Sequence, residues 1–321
     1  MVDAVHKRTK SIPFDIQTAE NSTHSGVIIM FSGGLDSSLI AAIACEVLPP
    51  EISVDLVNVS FAPATSADRF TAIFSFHDLK KLFPNRSLRM ICADYSIETL
   101  LEKERLLMDL CSPKASLMDF NVAAALHFAS KGEGFEFNPS FFDSDEFAEL
   151  CAKMDGQSGP TDKNSYDYGV ITNKITSIDP ELYYHSSHDW IRSPSKVVFS
   201  GLGADEVWSG YSRYKTAGIR GGISGLKAEM SLDLDRLWHR NMGRDDRAIS
   251  VNGKETRFPF LDTAVQRWLC EQIPDINEAD GCCTLYAWEE QRGQGDKRLL
   301  RQVASECFSL RWASQFEKRA I

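Results

Sequence analysis

Apolar positions in this chain alternate between short unbroken runs and longer stretches in which they recur every three or four residues. Residues 26–30 (GVIIM) are such a run and predict a buried strand; residues 35–48 follow with helical spacing. Residues 52–61 alternate and then run apolar through Val54, Leu56, Val57 and Val59, a second strand whose carboxyl end lies near Val59 to Ala62. Ser66-Ala67-Asp68 caps a helix with Phe70, Ile73, Phe74, Phe76, Leu79 and Leu82 on its apolar side, ended by Pro84. A third strand is predicted over 88–93, helices over 97–110 and 117–129, and a further strand over 196–200 that turns into a helix reaching Tyr211. Leu226, Met230, Leu234, Leu237 and Trp238 mark a helix over 226–242, and another starts within 295–301. Strands alternating with helices predict an α/β fold with a parallel sheet and right-handed crossovers, its C-terminal part helical. All strand carboxyl ends then lie along one edge, where ligands bind.

Two regions break the pattern. Residues 1–23 mix His6, Lys7, Arg8 and Lys10 with Asp3, Asp15 and Glu20 without an apolar core, which predicts a flexible leader and no signal peptide. Residues 132–194 are rich in Gly, Ser, Asp, Asn and Pro and are read as a disordered insertion into a domain spanning 24–321. His185 and His188 within it are read as solvated, since no further ligand cluster accompanies them. Composition narrows the classes: 43% hydrophobic residues without a membrane-length run predict a globular chain of the cytosol with no membrane partner, and a net charge of −10 argues against a nucleic-acid surface. Cys45, Cys92, Cys111, Cys151, Cys270, Cys282, Cys283 and Cys307 show no paired metal spacing and are read as free thiols, mostly buried.

The chemistry concentrates in two strand-to-helix turns. In Phe31-Ser32-Gly33-Gly34-Leu35-Asp36-Ser37-Ser38, paired glycines at the end of a buried strand leave backbone N–H groups converging in front of a helix start, an anion cradle. It is not a Walker A loop, having no Lys-Ser/Thr pair, and it lacks the third glycine of the dinucleotide fingerprint. A carboxylate in such a cradle repels phosphate unless a divalent cation lies between them, so Asp36 points to magnesium. The alternative is local: Asp36 complements a helix dipole, and Ser32 or Ser37 caps. Gly201-Leu202-Gly203-Ala204-Asp205-Glu206 repeats the architecture, and the edge rule lets Asp205 meet Asp36 on a shared cation; alone, Asp205 and Glu206 read as helix-start acids. Arg244, Asp246 and Arg247 form a charged block that is either architectural or part of a site.

The Ser-Gly-Gly-Leu-Asp-Ser-Ser string resembles the pyrophosphate loop of the ATP pyrophosphatases, which activate carboxylates or bases by adenylation. With Ser200-Gly201-Leu202-Gly203-Ala204-Asp205-Glu206, Gly210-Tyr211, Glu255-x-Arg257-x-Pro259-Phe260-Leu261-Asp262 and Asp296-Lys297-x-Leu299-Leu300-Arg301, the chain resembles the synthetase domain of asparagine synthetases from about residue 24 onward. The block from Arg240 to Arg247 resembles a eukaryotic branch of that family most closely. The resemblance implies a doubly wound, adenine nucleotide alpha-hydrolase-like sheet. It also implies ATP with adenine against Phe31 and Val59 and near the backbone of Ser200 and Gly201, and pyrophosphate cradled by Ser32, Gly33, Gly34, Ser37 and Ser38. Asp36 and Asp205 would hold Mg2+, and Lys297 would stabilise charge on the phosphates. The implied reaction joins a small-molecule carboxylate, aspartate first, to ammonia as an amide, releasing AMP and pyrophosphate.

Three departures accompany the resemblance. Leu202 stands where family synthetases carry a glutamate, and a leucine moves no proton. No catalytic cysteine follows Met1, so a separate glutaminase or solvent is the implied ammonia source. Related chains continue past Ile321, which implies a final helix cut short. Two further readings stay open: a nucleotide-binding scaffold without catalysis, and a tRNA- or purine-directed adenylating enzyme, for which the sequence shows no basic surface.

Overall fold

The computed structural model describes residues 1–10, 12, 25–63, 66–113, 116–156, 184, 190–272 and 295–316 of the 321. Its strands are β1 (Ser25–Met30), β2 (Ser53–Ser60), β3 (Leu88–Asp94), β4 (Glu133–Glu136), β5 (Trp190–Arg192), β6 (Val197–Phe199) and β7 (Glu255–Arg257), in one sheet ordered β5-β4-β3-β2-β1-β6-β7. β1 pairs in parallel with β2 and β6, β2 with β3, and β6 with β7, whereas β4 is antiparallel to both β3 and β5. The chain leaves β1 toward β2 on one side and returns to β6 on the other. The reversal opens a crevice beyond the carboxyl ends of β1 and β6.

The helices are α1 (Val2–Thr9), α2 (Leu35–Val47), α3 (Ala67–Leu82), α4 (Ile97–Glu102), α5 (Glu104–Cys111), α6 (Leu117–Ser130), α7 (Asp145–Gly156), α8 (Ala204–Val207), α9 (Ser212–Leu237), α10 (Gly243–Ser250), α11 (Thr263–Gln272), α12 (Arg298–Glu306) and α13 (Arg311–Gln315). Alternate strand residues feed two cores. Val27, Ile29, Leu56, Met90 and Phe199 pack with Leu39 of α2 and Phe70 and Phe74 of α3, while Ile28, Val57, Ile91 and Val198 pack with Ala129 of α6 and Ile249 of α10. Covered on both faces, the parallel strands need apolar residues at nearly every position, which is why they read as runs. Each such side chain contributes on the order of 2 kcal/mol by burial, enough to fix the register that brings the strand ends level. No helix among the described residues is long and apolar enough to cross a membrane.

The structure departs from the sequence expectations in six places, the first being β7, a parallel strand within the part expected to be helical. The expected leader begins as α1, with Ala4 and Val5 buried and Arg8 Nη1 donating to Asp262 Oδ2 at 2.7 Å; its few apolar residues suffice because they meet a ready-made core. The expected disordered insertion contains β4, a 3-10 turn over Pro139–Asp143, α7 and β5, with Phe137, Phe141, Phe147, Leu150, Met154 and Tyr184 in the larger core. Spaced phenylalanines, outnumbered by polar residues in composition, dock this segment on α3; His185 and His188 lie outside the described residues. The helix expected over 97–110 is broken at Lys103 into α4 and α5. The helix expected to reach Tyr211 is the single turn α8, because Ser209 turns left-handed at φ 61°. The helix expected over 226–242 is the second half of a longer α9, bent at Gly221–Gly222, that runs on into a π turn over Trp238–Met242.

Candidate functional site

The first loop is shaped from behind by α3. Thr71 Oγ1 donates to the Ser32 carbonyl at 2.6 Å and Ser75 Oγ to the Gly33 carbonyl at 2.6 Å, which fixes the loop and leaves the first-turn N–H groups of α2 at the sheet edge. Gly33 is obligatory there: its φ is 75°, and a Cβ would stand 2.2 Å from the Ala72 nitrogen. Ser32 is exposed and accepts from the Gly34 N–H at 3.3 Å. Ser37 and Ser38 are buried; Ser37 Oγ turns back to the Gly34 carbonyl at 3.2 Å, and the Ser38 hydroxyl has no hydrogen-bond partner among the described residues.

The second loop leaves β6 through Ser200, whose Oγ accepts from the Leu202 N–H at 3.2 Å. A Cβ on Gly201 would come 3.3 Å from the Asp36 Cβ, so the two loops touch. Asp36 and Asp205 each sit in the first turn of a helix, α2 and α8, and converge on one group. That group is Lys297: its ammonium lies 2.5 Å from Asp36 Oδ2 and 2.8 Å from Asp205 Oδ1. Lys297 immediately precedes α12 with φ 50° and ψ 36°, a left-handed conformation that costs a non-glycine residue on the order of 1 kcal/mol. Gly210 closes the site, because a Cβ there would stand 2.0 Å from Asp205 Oδ1 and 2.3 Å from Lys297 Cε. Burial pulls the Lys297 pKa down, but Asp205 and Asp36 outweigh it and hold the ammonium above the ordinary lysine range.

Phe31 and Val59 do not come together. Phe31 continues the Val27–Ile29 alternation into the larger core and is 2% exposed, while Val59 packs against the cores of the opposite face. Leu202 is half-buried at the mouth of the second loop.

Behind Asp205 lies a buried layer that includes Glu206, which read alone is a helix-start acid. Glu206 is 3% exposed and accepts from Tyr211 Oη at 2.6 Å and Asn241 Nδ2 at 3.2 Å. Burial, reinforced by Glu206 and Asp205, pushes the Tyr211 phenol well above its usual range. Arg244 donates to Asp119 Oδ1 at 2.6 Å and Asp245 Oδ1 at 2.8 Å, joining α10 to the capped start of α6. Burial raises Asp245 to about 6 against the pull of Arg244. The charged block is therefore architectural at Arg244, its carboxylate partner on α10 being Asp245 rather than the exposed Asp246, while Arg247 donates to the carbonyls of Leu110 and Ser112. The only advance signal for Glu206 was its place beside Asp205 and upstream of Gly210-Tyr211 in one short string.

Among the described residues no group of three or more His, Cys, Asp or Glu side chains could hold a metal ion. Two convergent carboxylates nevertheless fit magnesium, which characteristically takes one or two carboxylates and fills its octahedron with phosphate oxygens and water. Of the eight cysteines, Cys45, Cys92 and Cys111 are buried free thiols, and burial pushes the first two up to about 12. Cys151 is half-buried, and Cys270 and Cys307 are exposed.

No family model matches the chain. Over 99% of its length it is 29% identical to an asparagine synthetase domain-containing protein of Saccharomyces cerevisiae, covering 50% of that protein. Over 99% of its length it is likewise 29% identical to asparagine synthetase domain-containing protein 1 of Homo sapiens, covering 48%. A segment of 70 residues is 44% identical to a putative glutamine-hydrolyzing asparagine synthetase of Methanocaldococcus jannaschii, covering 13% of it. The chain thus spans about half the length of the curated relatives it matches along its whole extent. With that likeness running from end to end, and the paired-loop site lying inside it, the chain is similar over its whole extent to the asparagine synthetase domain-containing proteins.

Proposed function

We propose that this chain is an ATP-dependent, amide-forming ligase domain of the asparagine synthetase type, built on the doubly wound sheet of the pyrophosphate-loop enzymes. The observation that carries the reading is the meeting of Asp36 and Asp205, from the ends of adjacent parallel strands, on the single buried ammonium of Lys297. In this reaction a carboxylate, aspartate first, attacks the α-phosphorus of ATP, pyrophosphate leaves, and ammonia displaces AMP from the acyl group. The first-turn N–H groups of α2 receive the pyrophosphate portion, and exposed Ser32 lies beside them. Asp36 and Asp205 would hold magnesium, which supplies charge neutralisation at the phosphates when bound. Lys297, released from one aspartate, turns its ammonium to the departing oxygens and keeps its proton. Adenine is contacted by backbone at Phe31 and around Ser200 and Gly201 rather than wedged between the Phe31 and Val59 side chains. Ammonia comes from solvent or a separate glutaminase, and the compartment is the cytosol.

One observation favours a second reading, a nucleotide-binding scaffold without turnover. Leu202 brings hydrocarbon to the position of the expected acid, and the nearby Glu206 is already held by Tyr211 and Asn241. Pyrophosphate release from ATP and magnesium, with ammonium and one amino-acid carboxylate at a time, separates the two. Release that depends on one carboxylate, and falls by about 100-fold in Asp36→Ala and Asp205→Ala, is the ligase outcome. Nucleotide binding without release under every carboxylate is the scaffold outcome.

A further inference from the structure

The opposite edge of the sheet carries a second charged feature. Lys196 and Lys254 precede β6 and β7, so they lie at the strand starts, while Gly201 and the first loop lie at the strand ends. With Arg192, at the end of β5, they bound a cavity of about 310 Å³ whose walls include Ser193 and Asn252. The Asn252 amide is committed to the His127 carbonyl and the Ser130 hydroxyl, both at 2.8 Å, which makes that wall rigid.

Three cations converge here on a chain of net charge −10, and the countercharge beside them is meagre. Glu133 lies 3.9 Å from Arg192, but it is shared with Lys131 at 3.9 Å and Tyr95 Oη at 3.2 Å. Asp55 faces the same region, yet it is paired to Arg89 at 2.8 Å. Lys196 makes no ion pair among the described residues. Lys254 is 9% exposed, and its ammonium, which carries three donors, gives one to the Ser195 carbonyl at 2.5 Å. Burial, then Arg192, pulls Lys254 below the ordinary lysine range, as expected of an ammonium short of countercharge.

We propose that this cavity is a second anion site, built for the phosphoryl group of a small phosphorylated molecule. A dianion answers the charge of Lys254 and Lys196, and the planar fork of Arg192 takes two oxygens of one phosphoryl group. The cavity is of the size that takes a small molecule. The site shares no residue with the loops of Asp36 and Asp205 and stands whether or not those loops bind ATP.

The test is calorimetric titration of the full chain with inorganic phosphate, against sodium chloride at matched ionic strength, with melting temperatures recorded in parallel. Saturable binding is expected, weakened about tenfold or more by Arg192→Gln and by Lys196→Gln, both at exposed positions that leave the fold intact. In Lys254→Met the melting temperature without phosphate should hold or rise, and the phosphate-induced increase should vanish. Absence of saturable binding, or binding that survives Arg192→Gln and Lys196→Gln unchanged, overturns the proposal. So does a Lys254→Met variant that loses the same number of degrees with and without phosphate, which would make Lys254 a structural donor to Ser195.

Discussion

Lys297 joins two aspartates remote from it in the chain, Asp36 by 261 residues, and its ammonium lies where a divalent cation bound by both would contact them. Replacing it with glutamine removes that competing positive charge. Lys297→Gln should bind magnesium alone more tightly than the parent while releasing pyrophosphate more slowly, checked by magnesium titration and by the release assay. The local motifs made Asp36, Asp205 and Lys297 legible as site residues, since each occupies a short recognisable string. The edge rule also brings Asp36 and Asp205 together; that Lys297 joins them was not legible, because it depends on a left-handed residue before α12 and on packing that no spacing encodes. A second residue-scale prediction concerns Asp78 of α3, whose carboxylate accepts from the Trp312 N–H at 2.8 Å. Burial pushes its pKa from 3.8 up to about 6, against the pull of Trp312 and Arg311. The folded value is the higher one, so the stabilising contribution of the protonated acid is full below about pH 4 and is lost as pH rises through about 6. Asp78→Asn should therefore exceed the parent in stability near pH 8 by on the order of 2–3 kcal/mol, with the gap closing in acid, as read by denaturant unfolding across pH.

Among elements, the strands and the helices behind them were readable from periodicity, because burial on both sheet faces leaves an unbroken apolar signature at Ile28, Ile29, Leu56 and Val57. The elements missed were those that fold only against others. Val5 of α1 is fully buried although α1 is mostly polar, so Val5→Asp should cost about 3 kcal/mol or more and lower the melting temperature. The segment from Pro139 to α7 docks on α3 partly through His77, whose ring meets Phe142 at 5.0 Å and Phe147 at 4.9 Å. Burial, with help from Lys81, lowers His77 from 6.5 to about 4. Neutral His77 therefore supports the docked state above about pH 6.5, and that support is lost as pH falls toward about 4. Hydrogen exchange over residues 139–156 should accelerate across this window, and His77→Phe should flatten the response.

At the scale of the whole molecule, charge is separated around the sheet: carboxylates around one ammonium beyond the ends of β1 and β6, and cations around a cavity beside the starts of β6 and β7. The fold class followed from the order of strands and helices, but the cationic cavity did not, since Arg192, Lys196 and Lys254 come from separate strands in an acidic chain. A single cavity bounded by three cations is no track for a polyanion. Filter binding with bulk tRNA should accordingly show weak retention without the steep salt dependence that many phosphate contacts produce. Tight, salt-sensitive retention would instead favour an RNA-directed adenylating activity.

The space at Gly210 is a single hydrogen wide, and it is bounded by the two side chains on which the proposed chemistry depends. Residue 210 is therefore a diagnostic position for related chains. A homologue with alanine or anything larger there must move its lysine or its second aspartate from these positions, so the identity of one small residue marks the chains that can keep this arrangement unaltered.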